Sequence, residues 1–282
     1  MLNNLKVWLL MGVLSVILVL IGGAVGGKSG ALTFFLISLA MNFFSYYYSD
    51  RVAIAMTGSK PVSESEAPEL YSIVRRLCQR AGLPVPRLYL CPSPQPNAFA
   101  TGRDPSHSAV AVTSGLLKLL GRSEIEGVLA HEIAHIKNRD VLLGTLAATL
   151  AGAITMVAHM IQWGAYFGMG RGEDEEGAGS FIGMLVMAVL APIAAMIIQM
   201  AISRSREYLA DETGARIAGS PSGLASALLK LEEASRLIPM QVNPAASHLF
   251  IVNPLSGESL MRLFSTHPPI AERVKRLNQM KF

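Results

Sequence analysis

Charge is scarce in this chain. Only 16% of its 282 residues are charged and the mean hydropathy is +0.40, whereas soluble domains carry roughly a quarter charged residues. That deficit speaks against an ordinary soluble fold. Cysteine is scarcer still. Cys78 and Cys91 are the only two, too few for a disulfide framework, and they read as reduced structural thiols. The net charge of +4 comes without a long basic run or basic–aromatic interleaving. That argues against nucleic acid as a partner. No internal repeat or low-complexity tract is present, which excludes a solenoid or an array.

Long apolar runs are what the chain does have. Four are long enough to cross about 30 Å of hydrocarbon as helices: Val7–Gly27, Ala31–Tyr48, Val141–Trp163 and Phe181–Ile202. One soluble core would be overfilled by four such helices. The first run is longer than the apolar region of a signal peptide and no A-x-A-like site closes it, so it reads as a retained span. The second ends in Tyr46, Tyr47 and Tyr48, residues suited to an interfacial aromatic belt.

Charge placement orients these spans. Of the 24 Lys and Arg, all but Lys6, Lys28 and Arg171 lie in 49–140 or 203–282. Loop 164–179 instead carries Glu173, Asp174, Glu175 and Glu176. The positive-inside rule then puts both large segments, and both termini, in the cytoplasm. Four parts follow: a transmembrane hairpin at 1–48, a cytoplasmic segment at 49–140, a second hairpin at 141–202 and a cytoplasmic segment at 203–282. The expected fold class is a mainly α membrane protein, with four transmembrane helices and a cytoplasmic α+β domain built around a small sheet.

Within the cytoplasmic segments, Leu70, Ile73, Val74 and Leu77 keep helical spacing up to Gly82. Arg87–Cys91 and Ala109–Thr113 read as short strands, and Pro92, Pro94 and Pro96 enforce a loop between them. Ser123 and Glu126 form a capping-box pattern that opens a helix to about Asp140. Ser222–Leu237 and Pro269–Met280 are two further helical patterns.

The chemistry centres on His131-Glu132-Ile133-Ala134-His135. Positions i and i+4 share a helix face, so both imidazoles reach one Zn2+ at about 2.0–2.1 Å. Glu132 stands about 100° around the helix, where a carboxylate can take a proton from a water that zinc has acidified. A catalytic zinc needs a third ligand and one open position. Asn138 and Val141 stand where a metzincin has Gly and His, so that ligand lies elsewhere. Glu207 and Asp211 are again four apart. Glu207 would ligate the metal, and Asp211 would accept the other N–H of a ligand histidine. A solvated charged face beside Arg204 and Arg206 is the alternative. The two antiparallel spans between His135 and Glu207 favour the ligand reading, because they return both segments to the same depth at the membrane surface.

At these residues the chain resembles the bacterial HtpX heat-shock membrane proteases, relatives of the CAAX prenyl proteases. The resemblance rests on HEIAH at 131–135, SRSREYLAD at 203–211, NAFATG at 97–102 and Thr266-His267-Pro268-Pro269. It implies a gluzincin fold on a membrane anchor. It also implies one Zn2+ per chain held by His131, His135 and Glu207, with Glu132 as the base. Asn97, Ala98, Phe99 and Ala100 would belong to an edge strand that binds substrate backbone. His267 and Arg273 would lie near the zinc and stabilise the tetrahedral oxyanion. Without the resemblance, Asn97 reads as a turn residue after Pro96, and His267 as a surface or capping histidine. The implied activity is zinc-dependent endopeptidase cleavage of damaged or misassembled membrane proteins at the bacterial inner membrane. Its partners would be polypeptide substrates, the lipid bilayer and membrane quality-control proteins. A CAAX-type prenyl peptidase and a non-hydrolytic zinc-binding membrane scaffold are the competing expectations. More spans around a large chamber would favour the first, and ionisable residues inside the spans the second.

Overall fold

A computed structural model of the chain describes residues 2–144, 204–238, 249–252 and 268–281. The spans expected at 181–202 and, beyond residue 144, at 141–163 lie outside the described residues, as does His267.

The chain opens with α1 (Leu2–Tyr47), which breaks at Gly26 and Gly27 and doubles back on itself. Gly27 takes φ 57°, ψ −143°, a conformation that is cheap only for glycine. Beyond it the two arms run antiparallel. Trp8 stacks on Tyr46 with ring centroids 6.4 Å apart, and Asn42 Nδ2 donates to Ser15 Oγ at 3.0 Å. Near the bend Gly22 meets Gly30 so closely that a Cβ on either would strike the other's carbonyl. Gly26–Tyr47 is the one described helix long and apolar enough to cross a membrane. Val7–Gly23 is apolar but shorter, so the full span expected at Val7–Gly27 is not matched in length. Only 11% of the Gly26–Tyr47 window is buried within the protein, which a soluble core helix would not tolerate. Val7, Leu10, Leu14 and Leu18 bury against Leu142 and Leu143, so residues shortly after the HEIAH segment pack on the hairpin.

Next come α2 (Ser49–Met56), β1 (Lys60–Pro61) and α3 (Pro68–Ala81). α3 buries Leu70, Ile73, Val74 and Leu77 as their spacing predicts, and Gly82 ends it at φ 68°. The sheet adds β2 (Arg87–Cys91), β3 (Ala98–Gly102) and β4 (Ser108–Thr113), in the order β1-β2-β4-β3. β4 is parallel to β2 and antiparallel to β3. It is buried along its length, as an interior strand covered on both faces must be. β3 forms one edge of the sheet.

After α4 (Ser114–Leu119) comes α5 (Arg122–Asn138), the helix that carries the HEIAH segment. Its start corrects the sequence expectation. Gly121 is the N-cap and Glu124, not Glu126, folds back to accept the Gly121 N–H at 2.8 Å. Glu126 instead receives Arg76 Nη2 at 2.8 Å. The helix starts one residue before Ser123, which leaves Ser123 inside its first turn. Residues 204–218 are helical (α6), followed by α7 (Ser222–Leu237) and α8 (Ile270–Asn278). One apolar core joins the sheet to α3, α5, α7 and α8 through Leu77, Val112, Leu129, Ile133, Leu228 and Leu277.

Candidate metal centre and its surroundings

His131 and His135 lie one turn apart on α5, the first fully buried and the second partly exposed, at 15% of its side chain. α6 crosses that turn. Its Gly214 packs against the His131 backbone, and a Cβ there would stand 2.9 Å from His131 Cα and N. This approach brings Glu207 and Asp211, one turn apart on α6 and both buried, against the imidazoles.

Four donor atoms of three residues then converge. The Nε2 atoms of His131 and His135 are 3.1 Å apart. Glu207 Oε1 lies 3.4 Å from His135 Nε2, and Glu207 Oε2 lies 3.6 Å from His131 Nε2. Ligands at zinc bond lengths in tetrahedral array stand about 3.3 Å from one another, so two imidazole nitrogens with one Glu207 oxygen against each suit Zn2+. Among the described residues these three form a group able to hold a metal ion.

Each imidazole has its own support on the other ring nitrogen. His131 Nδ1 is 3.0 Å from Asp211 Oδ1, and His135 Nδ1 is 3.4 Å from Asp140 Oδ2. Such carboxylates fix the tautomer that leaves Nε2 free for a metal. The sequence offers Asp140 only as a helix end and not as a site residue, because five residues past His135 on an unbroken helix it would point away. It arrives because α5 stops at Arg139, which takes the left-handed conformation at φ 56°. A non-glycine residue there costs about 1–2 kcal/mol. Arg206 Nη1 secures the turn by donating to the Asp140 carbonyl at 2.9 Å.

Arg273 is fully buried. Its Nη2 and Nε donate to the two oxygens of Asp211 at 2.7 and 2.8 Å, and its Nη1 lies 3.3 Å from Glu207 Oε2. It thus grips the carboxylates of α6 from behind. Burial favours a protonated Asp211, but the adjacent Arg273 outweighs it and holds the carboxyl below its ordinary range.

Glu132 is buried among these groups, and that burial pushes its carboxyl above the ordinary range. The Ala100 backbone N–H hydrogen-bonds to it, so the Glu132 carboxyl touches the edge strand. Burial alone would lower both histidines. The carboxylates of Asp211 and Glu207 outweigh this at His131, and those of Asp140 and Glu207 at His135, which rises to about 10.

Ala98, Phe99 and Ala100 all lie in β3 and are buried, with Asn97 immediately before them. Asn97 Nδ2 donates to the Val252 carbonyl at 2.8 Å, and its Oδ1 accepts from the Val252 N–H at 3.3 Å. The Ala98 carbonyl accepts from Ile251 N at 3.0 Å. Phe250 packs edge-on against Phe99 with centroids 5.2 Å apart. Residues 249–252 therefore sit along the start of the β3 edge. Of the other histidines, His107 is bonded to Asp104 on the surface, while His159 and His248 lie outside the described residues.

Three comparisons bear on this arrangement. Residues 64–281 match the family model described as Peptidase family M48. A protease HtpX homolog of Pelotomaculum thermopropionicum is 76% identical over 278 residues, covering 99% of each chain. Another from Thermodesulfovibrio yellowstonii is 57% identical, covering 99% of this chain and 98% of its own. One from Thermococcus kodakarensis is 54% identical, covering 98% and 95%. Among solved structures, S. mikatae Ste24p superposes with a TM-score of 0.50 at 20% identity. The match covers 98% of this chain and 64% of that longer one, a likeness of fold alone.

Proposed function

This chain belongs to peptidase family M48 as a membrane-associated metalloprotease, and from that premise we propose that it cleaves damaged or misfolded membrane proteins through one zinc ion. The observation that carries the proposal is the convergence of His131, His135 and Glu207 donor atoms, 3.1 to 3.6 Å apart, beside a buried Glu132.

His131, His135 and Glu207 would hold the zinc, which when bound supplies Lewis acidity and an acidified water. Asp211 orients His131. Glu132 takes the proton of the attacking water and later delivers it to the leaving amine. Its raised proton affinity suits a base that must release as well as accept at neutral pH. Substrate backbone would meet the edge strand at Ala100, because Ile251 already occupies the Ala98 carbonyl that the sequence reading offered to substrate, and Asn97 would hold residues 251–252 against that edge. His267 is proposed, from the family resemblance, to face the oxyanion. Arg273 would serve the same charge by steadying Asp211 and Glu207.

The proposed topology has four spans: a hairpin at 1–48, a second hairpin at 141–202, and segments 49–140 and 203–282 in the cytoplasm. The Lys/Arg distribution and the acidic loop 164–179 support it. So does the uncovered apolar surface of Gly26–Tyr47. The site would then stand at the cytoplasmic face of the inner, or plasma, membrane.

Glu132→Gln tests the mechanism. Proteolysis of a model polypeptide should fall by about 10²–10⁴-fold, the range of a positioned base, while zinc stoichiometry stays that of the parent. Retained cleavage, or zinc lost with activity, overturns the assignment of Glu132 as base.

A further inference from the structure

The anchor meets the catalytic domain at a basic pocket that peptide hydrolysis does not use. Phe43, Tyr47 and Tyr48 form one wall, where α1 ends. Arg51 of α2, Arg87 of β2, and Arg103 and His107 of the β3–β4 turn form the other. The concavity is open and measures about 410 Å³.

Its charge is mainly positive. Arg87 pairs with Asp50, and Arg103 Nε lies 3.3 Å from Asp104. Arg51 has no ion pair among the described residues, and its guanidinium lies 5.4 Å from the Tyr48 ring centroid. Arg103 is steadied at the wall, 5.0 Å from the Tyr47 ring centroid, with Nη1 donating to the Tyr47 carbonyl at 3.4 Å. Three guanidiniums thus face two carboxylates, and two of the three lie against tyrosine rings that continue the apolar surface of the anchor.

Depth identifies the ligand. The 22 residues of Gly26–Tyr47 span about 33 Å at 1.5 Å per residue, so the far end of this helix stands at headgroup level. Tyrosines belong at that level, and guanidinium groups match phosphate oxygens in charge and geometry. A soluble anion would need the arginines but not an aromatic wall continuous with the bilayer. We infer that this pocket binds the phosphate headgroup of an anionic membrane lipid. The inference rests on reading Gly26–Tyr47 as a span, and is independent of the assignment of Glu132 or of any zinc ligand.

The test uses the full chain, purified and reconstituted into phosphatidylcholine bilayers containing phosphatidylglycerol. Native mass spectrometry then counts each lipid that remains bound. Each surface arginine contributes about 1 kcal/mol toward an anionic lipid. Arg51→Gln should therefore lower phosphatidylglycerol retention about fivefold, and Arg51→Gln with Arg103→Gln at least tenfold, with phosphatidylcholine unchanged. Arg51 is exposed, so its single variant does not disturb the core. Arg75→Gln with Arg216→Gln, which remove charge elsewhere on the surface, should retain phosphatidylglycerol like the parent. Equal retention by the pocket variants overturns the inference. So does an equal loss in the Arg75/Arg216 control, which would mean bulk charge alone. Inorganic phosphate that binds the detergent-solubilised protein as tightly as phosphatidylglycerol overturns the lipid assignment. Vesicle flotation reads the anchor separately: a chain that fails to float refutes the span, whereas one that floats without selecting the lipid refutes only the pocket.

Discussion

Leu9, Leu20, Leu32 and Leu36 of the anchor hairpin are 58% to 68% exposed, whereas Leu77, Leu116, Leu129 and Leu228 of the catalytic core are fully buried. If the hairpin spans a membrane as proposed, the same side chain meets two solvents. In the core, water drives leucine inward at about 25 cal/mol per Å² of apolar surface. In a bilayer the lipid is as apolar as leucine, so leucine does not tell the two arms of the hairpin how to pair. Small residues and polar contacts must do that. The arms touch backbone to backbone at Gly22 and Gly30, and Asn42 donates to Ser15 and to the Met11 carbonyl. The core has the opposite difficulty. It buries Arg273, Asp211, Glu207, Glu132 and Glu124, and a buried charge is tolerated only when paired. Away from the Gly22–Gly30 contact, the anchor should therefore be robust to single changes and the metal centre fragile.

The largest effect is expected at Asp211. Asp211→Asn removes the main partner of a fully buried guanidinium, which costs about 3–5 kcal/mol of stability. It also loosens His131, and zinc affinity should fall roughly 10–100-fold. Asp140→Asn should weaken zinc in the same range with a smaller loss of stability, because Arg206 feels the Asp140 charge alongside that of Glu207, whereas Asp211 takes two hydrogen bonds from Arg273. Glu212→Ala, exposed and paired with Arg216, should change neither. Thermal unfolding and competition with a chromophoric chelator rank the three. An Asp211→Asn protein as stable as the parent would break the contrast with the anchor.

Gly214→Ala comes next. The new methyl would sit 2.9 Å from backbone atoms of His131, so α6 must move, at about 1–3 kcal/mol. Zinc affinity should fall although no ligand has changed, and Asp211 and Glu207 should move together. Unchanged chelator competition would show that α6 tolerates the shift.

A smaller effect is expected at Glu124. Burial raises its carboxyl, but Lys230, Ser226 and the Gly121 N–H outweigh burial and hold it below its ordinary value. The native fold thus favours the ionised form. Stability from this site is present above the unfolded value of 4.5 and is lost as pH falls through the lower folded value. Glu124→Gln should cost about 1 kcal/mol at neutral pH, and the gap from the parent should close below pH 4.5. A gap that persists in acid would assign the cost to packing.

Asn42→Leu should be the mildest. Polar contacts between membrane helices average about 0.6 kcal/mol, so unfolding in detergent should shift slightly while zinc affinity and proteolysis remain unchanged. Loss of activity would show that hairpin and metal centre are coupled more tightly than their separate cores suggest.

Much of this molecule was legible because its signals are local. The i, i+4 spacing of His131 and His135 puts them on one turn whatever the tertiary structure, and the same spacing pairs Glu207 with Asp211. Gly82 closes α3 and Arg87–Cys91 forms β2 as read from their residues. The capping box was misread because Ser123/Glu126 and Gly121/Glu124 both offer acidic residues at the right interval. Which one forms depends on where the turn after α4 leaves the chain.

Other features are set by contacts across the chain. No periodicity points Asp140 at His135, since only the break at Arg139 turns it back. Nothing local gives Gly214 a role until α6 lies on His131. Arg273 is 62 residues from Asp211, and a buried guanidinium binds whichever carboxylates the fold brings to it. The sequence by itself determined which side chains carry the chemistry and on which helix faces, because helical geometry repeats every 3.6 residues. The tertiary structure decided how close those faces come and what stands behind each ligand, because close approach and charge pairing depend on neighbours far apart in the chain.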